Sequence, residues 1–599
     1  MVRIVRPPSF EAMREELGGT VRAIRYLVEA GYTTDQIVRR SGLPYHLVEL
    51  YKRGIVPANR YPFREVTRYY DRIATVRSKR GKKTVLVRFF KNPNIDFATK
   101  VRLALGRIVE ERTTGVGPAV VERAIAFASG RGEGQVRRVF IDYGDYGEVA
   151  YLLCGAASPR ITVGEVCEAI RLLPKLRRID ERVMVVSSLL RSSVNVEARY
   201  VVHLILQDLK LGFHEATVID AVSEALGLPP ELVRQVCAIK GISDGLTLAV
   251  DGRAVLEGVK LRPGEFIRPQ LAHLYEPDKV AFPCRVEWKY DGSRLQLHKW
   301  GGTVVFFSRR GIEKSKTLPE VMPIIKGFNA QSCIVDSEVV ALDRKGRPLS
   351  FQYMLKRTVP RELKEEVFRE IRLSIKAFDI LYLNGESLMD KPLRERLRFL
   401  GMVVPDEYQA TAAICGDELE LMDFYQEALR QGLEGIIVKD LGSVYEAGRR
   451  TYTWLKLKPE RDTVDCVVVK ALYGKGRRAG LYSSFELAVR HPTERKLFTI
   501  GRVANLPEGL LASIASQIDR LKTGEDREGA FVRPGIVLEV TYQEIERAKE
   551  YTSGYALRVP KFVRLRDDKT VEEIDTVKKI ERLYELQYER FPAKELPEF

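Results

Sequence analysis

One short segment of the chain carries residue types that could perform nucleophilic chemistry. It runs Glu-Trp-Lys-Tyr-Asp-Gly-Ser-Arg from Glu287 to Arg294. If Glu287 and Lys289 lie on a strand, their side chains point to the same face, and the Asp-Gly pair after them can turn the chain so that Arg294 returns toward Lys289. A lysine amine is a nucleophile once it is deprotonated, and burial or nearby cations lower its pKa. Taken alone, the pattern is more typical of a surface hairpin than of a catalytic lysine.

Side chains that suit a nucleotide and a divalent cation follow this segment. Two glutamates in or directly before predicted strands offer carboxylates to a cation, an aromatic ring within a strand could stack on a base, and paired lysines could meet a phosphate. With an arginine that follows a strand, these residues are Arg309, Glu338, Phe378, Glu434, Lys456 and Lys458. Each alone is more typical of core or surface, but the series in this order favours a nucleotide-binding catalytic site. The sequence has no GxxxxGKS or GxxxxGKT element, even around 475–478, so a P-loop is excluded.

The order of these motifs resembles that of covalent nucleotidyltransferases, and specifically of ATP-dependent DNA ligases of the archaeal and eukaryotic replicative type. The motif around Lys289 is similar to the one whose lysine becomes adenylylated. The motifs that follow are matched by residues 308–310, 335–338, 378–382, 434–439 and 454–458. Ser337 stands where the family usually has glycine.

The resemblance extends to both sides of the central motifs. Residues 556–569 resemble the ligase C-terminal motif, with Lys561 in place of the usual arginine. Residues 144–150 and 208–212 resemble the helical DNA-binding domain of these ligases. The segment 503–506 differs from the family pattern, and we assign it no role.

The resemblance implies a catalytic lysine surrounded by nucleotide and metal ligands. Lys289 is expected to attack the α-phosphate of ATP, and Glu338 and Glu434 are expected to hold Mg²⁺, with Mn²⁺ as an alternative. The residues expected to bind the nucleotide are Glu287, Arg294, Arg309, Glu338, Phe378, Arg450, Lys456, Lys458 and Arg558. The sequence leaves open whether ADP, GTP or NAD⁺ can replace ATP, although the absence of zinc-binding cysteines disfavours the bacterial NAD⁺ type.

The implied function is that of an ATP-dependent DNA ligase. It would seal 5′-phosphate/3′-hydroxyl nicks in duplex DNA during replication, repair and recombination, through a lysine–AMP intermediate and a DNA-adenylate. We expect a monomer that acts on nicked duplex DNA, with a sliding clamp as a further candidate partner. RNA ligation or mRNA capping, which shares the lysine chemistry, and a DNA-clamping protein with a decayed site remain alternatives. A clamp-box-like spacing at residues 83–90 lacks the leading glutamine, and a buried helix explains it better.

Patterning along the chain predicts a multidomain fold. Helical spacing separated by glycine turns predicts an all-α domain over residues 61–240, and the resemblance implies that it is the DNA-binding domain. Short β runs between helical segments predict an α+β domain over 241–460, which the resemblance identifies as the adenylylation, or nucleotidyltransferase, domain. Further strands predict a small β-barrel over 461–599, which the resemblance identifies as an OB-fold, with a terminal helix at 571–591.

Residues 1–60 lie outside the family match, which covers about 61–599. Two stretches with helical spacing, separated by a turn, are typical of a helix-turn-helix, and Thr33 with Gln36 fits a capping box. A DNA-reading module and a helical extension packed on its neighbour are the two interpretations, of which the packed extension is favoured.

Composition excludes several other classes of protein. The 599 residues are 45% hydrophobic and 30% charged, which is typical of a globular protein. The seven cysteines are odd in number and include no CxxC, which argues against a disulfide framework or a structural zinc site. No apolar run approaches the ~18 residues of a membrane span, and residues 1–8 lack the apolar stretch of a signal peptide. We therefore expect a cytoplasmic protein with no membrane partner.

Positive charge is concentrated before the catalytic segment. The chain has a net charge of +17, and residues 51–100 hold 14 Lys and Arg against 3 Asp and Glu. A polyanion such as DNA is the natural partner of such a surface. The alternative is a solvated basic face without a ligand.

Overall fold

The protein is described from a computed structural model. It describes residues 9–109, 113–156, 161–343, 346, 348–349, 372–459, 462–474, 482–494, 496–504, 506–526 and 528–589. The segment 475–478 and Asn505, both considered in the sequence, lie outside these residues. Among the helices of the described part, none is long and apolar enough to cross a membrane.

Contacts between Cα atoms divide the chain into two compact units. The first comprises residues 1–230, 470–485 and 505–533, and the second comprises 231–469, 486–504 and 534–599. All seven cysteines are buried and unbridged, in agreement with the argument against a disulfide framework.

Residues 9–226 are helical in their described part, which confirms the predicted helical N-terminal region. The helices are α1 Phe10–Glu16, α2 Thr20–Glu29, α3 Thr34–Ser41, α4 Tyr45–Lys52, α5 Phe63–Thr75, α6 Lys79–Phe90, α7 Phe97–Leu105, α8 Pro118–Ser129, α9 Glu133–Tyr143, α10 Tyr146–Leu153, α11 Val163–Leu172, α12 Ile179–Ser192, α13 Asn195–Ile205 and α14 Glu215–Leu226. Helix ends follow local signals: Ser78 caps α6, and Gly106 ends α7 in a left-handed conformation.

The first four helices pack as a small cluster around a shared apolar core. Ile24, Leu27 and Ile37 are fully buried there, and the predicted capping box of Thr33 with Gln36 is present at the start of α3. Helix α4 is buried along residues 46–50. Its His46 Nδ1 lies 2.9 Å from Ser188 Oγ on α12, so α4 packs against the following helices.

The run at residues 83–90 forms most of α6. Its apolar side chains, including Leu86, Phe89 and Phe90, are buried. The interpretation as a buried helix is therefore confirmed.

The second unit contains two five-stranded sheets. Their strands are β1 Leu271–Leu274, β2 Cys284–Trp288, β3 Ser293–Trp300, β4 Thr303–Ser308, β5 Ser332–Leu342, β6 Arg372–Leu383, β7 Glu386–Ser387, β8 Ala412–Cys415, β9 Ile436–Asp440 and β10 Arg450–Leu457. One sheet has the order β1-β10-β9-β2-β8 and the other β4-β3-β5-β6-β7, with antiparallel pairing except between β1 and β10. Helices α15 Pro230–Lys240, α16 Ile242–Leu248, α17 Arg253–Glu257, α18 Val321–Lys326, α19 Leu393–Val403 and α20 Glu418–Arg430 accompany these sheets.

Alternating burial along the strands builds the core that holds the sheets. In β6 the side chains of Leu373, Ile375 and Ala377 are buried at every second position. They join one core cluster with Leu297 and Phe306 from neighbouring strands.

The C-terminal region is mostly β-structure. Its strands are β11 Thr463–Tyr473, β12 Tyr482–Arg490, β13 Leu497–Ala504, β14 Lys522–Glu525, β15 Gly529–Val532, β16 Val537–Thr541, β17 Glu544–Arg547, β18 Tyr555–Arg558 and β19 Lys561–Leu565, with helices α21 Glu508–Leu521 and α22 Val577–Glu589. The order of the seven-stranded sheet is β12-β13-β19-β16-β11-β15-β14, β12 also pairs with β11, and β17 pairs with β18.

The terminal helix begins later than the predicted residue 571. Thr570 caps a short 3₁₀ turn at Val571–Glu573, and the chain is then extended at Ile574. Ile574 is buried with Val467 and other apolar side chains. The helix starts only at Val577, after this extended segment.

Candidate active site and basic helical surface

A cavity of about 460 Å³ in the second unit collects the sequence-predicted site residues. Every one of them except Arg558 lines it, namely Glu287, Lys289, Arg294, Arg309, Glu338, Phe378, Glu434, Arg450, Lys456 and Lys458. They come from strands of both five-stranded sheets and from the loops that follow those strands. A cavity of this size suits a small-molecule ligand.

Lys289 lies directly after β2, at the point where the chain leaves the sheet. Its backbone N–H donates to Gly435 O at 2.9 Å, and Glu434 N–H donates to Lys289 O at 3.1 Å, which fixes the two residues side by side. The Lys289 ammonium forms an ion pair with the Glu434 carboxylate. Burial disfavours the charged amine, but the ion pair outweighs it and the pKa of Lys289 is raised. The carboxylate thus offsets the effect of burial, which by itself lowers the pKa of a lysine.

Glu434 also accepts a hydrogen bond from Lys458 Nζ at 2.9 Å. Burial favours the neutral carboxyl, yet Lys289 and Lys458 together hold the pKa of Glu434 well below its usual range. One carboxylate therefore joins two lysines that the sequence places far apart.

Glu338 lies on β5, opposite Arg294 of β3. Burial raises its pKa to about 7, against the opposing effects of Lys289 and Arg294. A Cβ on Gly292 would lie 2.8 Å from Glu338 Cγ, so a glycine there lets the loop after Lys289 approach β5. The two glutamates thus offer one carboxylate that is charged and one that titrates near neutrality.

Arg294 is held by a network that sequence reasoning missed. Its Nη2 donates to Asp336 Oδ2 at 2.7 Å, and its Nη1 donates to Gln270 O at 2.6 Å. The hydroxyl of Tyr445 donates to the same Asp336 oxygen at 2.5 Å. Asp336 and Tyr445 are buried, so the network fixes the guanidinium at the cavity wall. No local pattern in the sequence marks Tyr445, because its partners lie more than 100 residues away.

Phe378 lies in the middle of β6, as predicted, and shares the cavity wall with Lys439. Lys439 Nζ lies 4.6 Å from the centre of the Phe378 ring and 4.3 Å from that of Trp454. It also pairs with Glu287 at 2.7 Å, and Arg285 Nε donates to the same carboxylate at 2.7 Å. The sequence contained Lys439 within a motif, but gave no signal that it joins the site.

Like charges gather at another part of the cavity wall. Burial lowers the pKa of Lys456, and Arg450 and Lys458 lower it further. Burial also lowers the pKa of Arg309, with Arg294 and Arg450 adding to the effect. Cations held close together in this way are stabilised by a bound polyanion such as a polyphosphate.

Arg558 is not among the residues that line this cavity. It lies at the end of β18, where Nη1 is 3.4 Å from Glu544 and Nε is 3.7 Å from Glu546.

The chemistry of the donor set fits a divalent cation held together with phosphates. Within the described residues, no group of three or more His, Cys, Asp or Glu side chains is placed to hold a metal ion. Glu338 and Glu434 nevertheless line the same cavity with hard oxygen donors. Mg²⁺ is usually held by one or two carboxylates plus substrate phosphates, so this pair fits that use.

The basic run of residues 77–83, which starts just before α6 and continues into its first turns, is not uniform. Arg77, Lys79 and Arg80 are exposed. Lys83 pairs with Glu224 at 2.6 Å, and Lys82 is buried. The positive surface therefore comes from fewer side chains than the sequence suggests.

Comparisons with known proteins agree along most of the chain. Family models described as DNA ligase N terminus, ATP dependent DNA ligase domain and ATP dependent DNA ligase C terminal region match residues 62–223, 269–458 and 478–569. A DNA ligase of Thermococcus fumicolans is 32% identical over 557 residues, covering 89% of this chain and 100% of that protein. A DNA ligase of Archaeoglobus fulgidus is 34% identical over 499 residues, covering 80% and 90%. A solved structure described as Pmar-Lig_PreS3 shares the fold, with a TM-score of 0.54 at 15% identity, covering 84% of this chain and 99% of that one.

Proposed function

Since the chain belongs to the ATP-dependent DNA ligase family, we propose that it seals 5′-phosphate/3′-hydroxyl nicks in duplex DNA and that Lys289 carries AMP from ATP to the nick. The observation that carries this proposal is the meeting of Lys289, two glutamates and a group of cations in one cavity. Replication, repair and recombination are the processes that generate such nicks.

The first step joins Lys289 to AMP. The lone pair of the deprotonated Nζ forms a bond to the α-phosphorus of ATP, and the bond to the bridging oxygen breaks to release pyrophosphate. The ammonium must first lose a proton to solvent, and the ion pair with Glu434 opposes this loss because it stabilises the charged form. When a ligand separates Lys289 from Glu434, burial favours the neutral amine, against the opposing effects of Glu338 and Asp291.

The later steps move AMP and close the backbone. An oxygen of the 5′-phosphate at the nick attacks the phosphorus held by Lys289. The bond from that phosphorus to Nζ breaks, Lys289 takes up a proton and leaves as the amine, and a DNA-adenylate forms. The 3′-hydroxyl then attacks the 5′-phosphorus, and AMP leaves. Attacking and leaving atoms must lie in line, so the fixed positions of Lys289 and Arg294 supply much of the rate enhancement.

The other cavity residues bind and orient the nucleotide in this proposal. The ring of Phe378 stacks on the adenine beside Lys439, and Arg309, Arg450 and Lys456 meet the phosphates. Glu287 helps to shape the base pocket by holding Lys439. Mg²⁺, or Mn²⁺ in its place, would offset phosphate charge when bound by Glu338 and Glu434. Arg558 remains a predicted nucleotide ligand.

We propose the same domain division that the sequence predicts. Residues 61–240 form the DNA-binding domain, 241–460 the adenylylation domain and 461–599 an OB-fold, which the pairing of β12 with β11 supports. The buried face of α4 supports a packed extension over residues 1–60 rather than a DNA reader. A cytoplasmic monomer is proposed, and a sliding clamp remains a candidate partner for which residues 83–90 are too buried to serve.

The helical N-terminal region, residues 9–226 and called the helical unit below, is proposed to bind the DNA duplex. The exposed cations Arg77, Lys79 and Arg80 supply phosphate contacts. The loop of residues 206–214, which contains the segment 208–212, presents a further cation, Lys210. This extra basic surface favours DNA sealing over RNA ligation or capping.

One experiment tests substrate and nucleotide together. The purified protein is offered nicked DNA or nicked RNA, with ATP, ADP, GTP or NAD⁺ supplied separately and Mg²⁺ or Mn²⁺ present. Sealing of DNA with ATP is the expected result. Sealing confined to RNA, or retention of no AMP after denaturation, would contradict the proposal.

A further inference from the structure

One lysine of the basic run is directed into the helical unit. Lys82 lies on α6 with 4% of its surface exposed. Its Nζ donates to Leu211 O at 2.6 Å and to Gly212 O at 3.0 Å. Its ammonium is therefore engaged by backbone oxygens 129 residues further along the chain.

The loop that receives these hydrogen bonds has an unusual backbone. Gln207 and Lys210 adopt positive φ angles of 55° and 52°, a backbone conformation that residues other than glycine rarely adopt. Such conformations persist when surrounding contacts hold them. Two charge-assisted hydrogen bonds from Lys82 are contacts of this kind.

The same loop presents its own cation and borders a cavity. Lys210 is exposed, and its Nζ lies 3.1 Å from Asp145. Residues 207–215 line a cavity of about 550 Å³ together with Arg107. Lys210 directly precedes Leu211, whose carbonyl oxygen accepts a hydrogen bond from Lys82.

We infer that Lys82 is a positioning residue that holds the 206–214 loop in its DNA-binding conformation, and that it makes no phosphate contact itself. The inference rests on the proposed grip of the helical unit on DNA. Under this inference, exposed residues of the basic run such as Lys79 contact DNA phosphates directly. The buried Lys82 affects DNA binding only by fixing the loop that carries Lys210.

Lys100 provides a matched control in the same unit. It is also buried, with 6% exposed, and its Nζ donates to Phe90 O at 2.6 Å and to Asn92 O at 2.8 Å. These acceptors lie at the opposite end of α6 from Lys82. Its replacement removes a similar pair of hydrogen bonds without touching the 206–214 loop.

Amine acetylation of the unaltered full-length protein, with and without nicked duplex DNA, tests the position of Lys82. We expect Lys82 to resist acetylation in both states. Lys79 and Lys210 should react in the free protein and be protected by DNA. Modification of Lys82 in the free protein, followed by protection on DNA binding, would show a direct contact and overturn the inference.

A double-mutant cycle then tests the coupling. We expect Lys82→Met to weaken binding of nicked duplex about tenfold, the size of losing charged hydrogen bonds. In the Lys210→Ala background the same change should cost less than about twofold, because its effect runs through the loop. Lys100→Met should leave the effect of Lys210→Ala unchanged.

The outcomes separate the inference from the proposed function. If Lys210→Ala weakens DNA binding but Lys82→Met does not, or if their effects add, the positioning role is wrong and the DNA grip stands. If neither Lys210→Ala nor Lys79→Ala changes affinity, the DNA role of the helical unit fails, and the inference fails with it. If Lys82→Met does not fold, the cycle is run with Lys82→Gln, and additive effects of Lys82→Gln and Lys210→Ala would overturn the inference.

Discussion

Lysines that are partly or fully buried have different partners in the helical unit and in the cavity of the second unit. Lys82 and Lys100 donate to backbone carbonyls, whereas Lys289 and Lys458 share one carboxylate, that of Glu434. A backbone carbonyl has a position fixed by the fold, so a lysine that donates to it is fixed as well. A carboxylate at an open cavity can exchange its lysine for a metal ion or lose it when a ligand enters. The first arrangement fixes structure, and the second, in the function proposed above, keeps the nucleophile in its charged, unreactive form.

The largest effect should follow from removing the stored nucleophile. Lys289→Ala should reduce adduct formation with ATP to background, because no other amine has its position. Lys289→Arg should fail as well, since a guanidinium stays protonated. Mass spectrometry of the intact protein would measure the gain of one AMP. Lys100→Met, which removes a buried lysine of the other kind, should keep the adduct, and an AMP adduct on Lys289→Ala would show that another residue is the nucleophile.

Removing the carboxylate that stores the lysine should have the next largest effect. Glu434→Gln keeps the shape of the side chain but loses the ion pairs with Lys289 and Lys458 and one proposed metal ligand. We expect nick sealing to fall about 100-fold, the size of losing one key electrostatic contact in an active site. Raising Mg²⁺ or Mn²⁺ should restore part of the rate. Single-turnover sealing over a range of metal concentrations measures this, and an unchanged rate would remove Glu434 from the site.

The pH dependence of adduct formation should report on Glu338. Burial raises its pKa to about 7, so the carboxyl is protonated below that pH and offers no negative charge to a metal. At low Mg²⁺ the rate should therefore rise as pH increases through about 7, and higher Mg²⁺ should move this rise to lower pH. Lys289, whose pKa is raised, adds a further rise at higher pH. Glu338→Gln should lack the step near neutrality, and retention of that step would assign it to another group.

A smaller effect is expected at the network behind Arg294. Tyr445→Phe removes the hydroxyl that donates to Asp336 and leaves the ring in its core. We expect sealing to fall about tenfold, because one hydrogen bond that orients a charged group is lost. Tyr425→Phe, at another buried tyrosine of the same unit, is the matched control and should remain near wild type. Equal losses in the two variants would indicate general destabilisation instead of positioning.

The sequence predicted which residues meet at the site better than it predicted how they are held. Phe378, Glu338 and Glu434 lie in or before strands as expected, because strand patterns and motif order are local signals. Tyr445 could not be found, since its role depends on a contact between the segment joining β9 to β10 and Asp336 on β5, more than 100 residues earlier in the chain. The burial of Lys82 was equally hidden, because a lysine in a basic run has the same sequence pattern whether it meets solvent or a carbonyl.

The smallest effect is expected from changes at cations on the exposed surface of the helical unit. It distinguishes exposed cations, such as Arg80, from cations that are already paired with a carboxylate, such as Lys83. Arg80 is exposed, so Arg80→Ala should weaken nicked-duplex binding only a few-fold and lower the slope of log affinity against log salt by about 0.9, the value for one phosphate contact on duplex DNA. Arg80→Lys keeps the charge and should keep the slope. Lys83 is already paired with Glu224, so Lys83→Ala should change the slope less than Arg80→Ala does. Titrations of nicked duplex at several salt concentrations measure all three variants. If the slope of Arg80→Ala equals that of the unaltered protein, Arg80 is a solvated residue, and the grip on DNA must come from other cations such as Lys210.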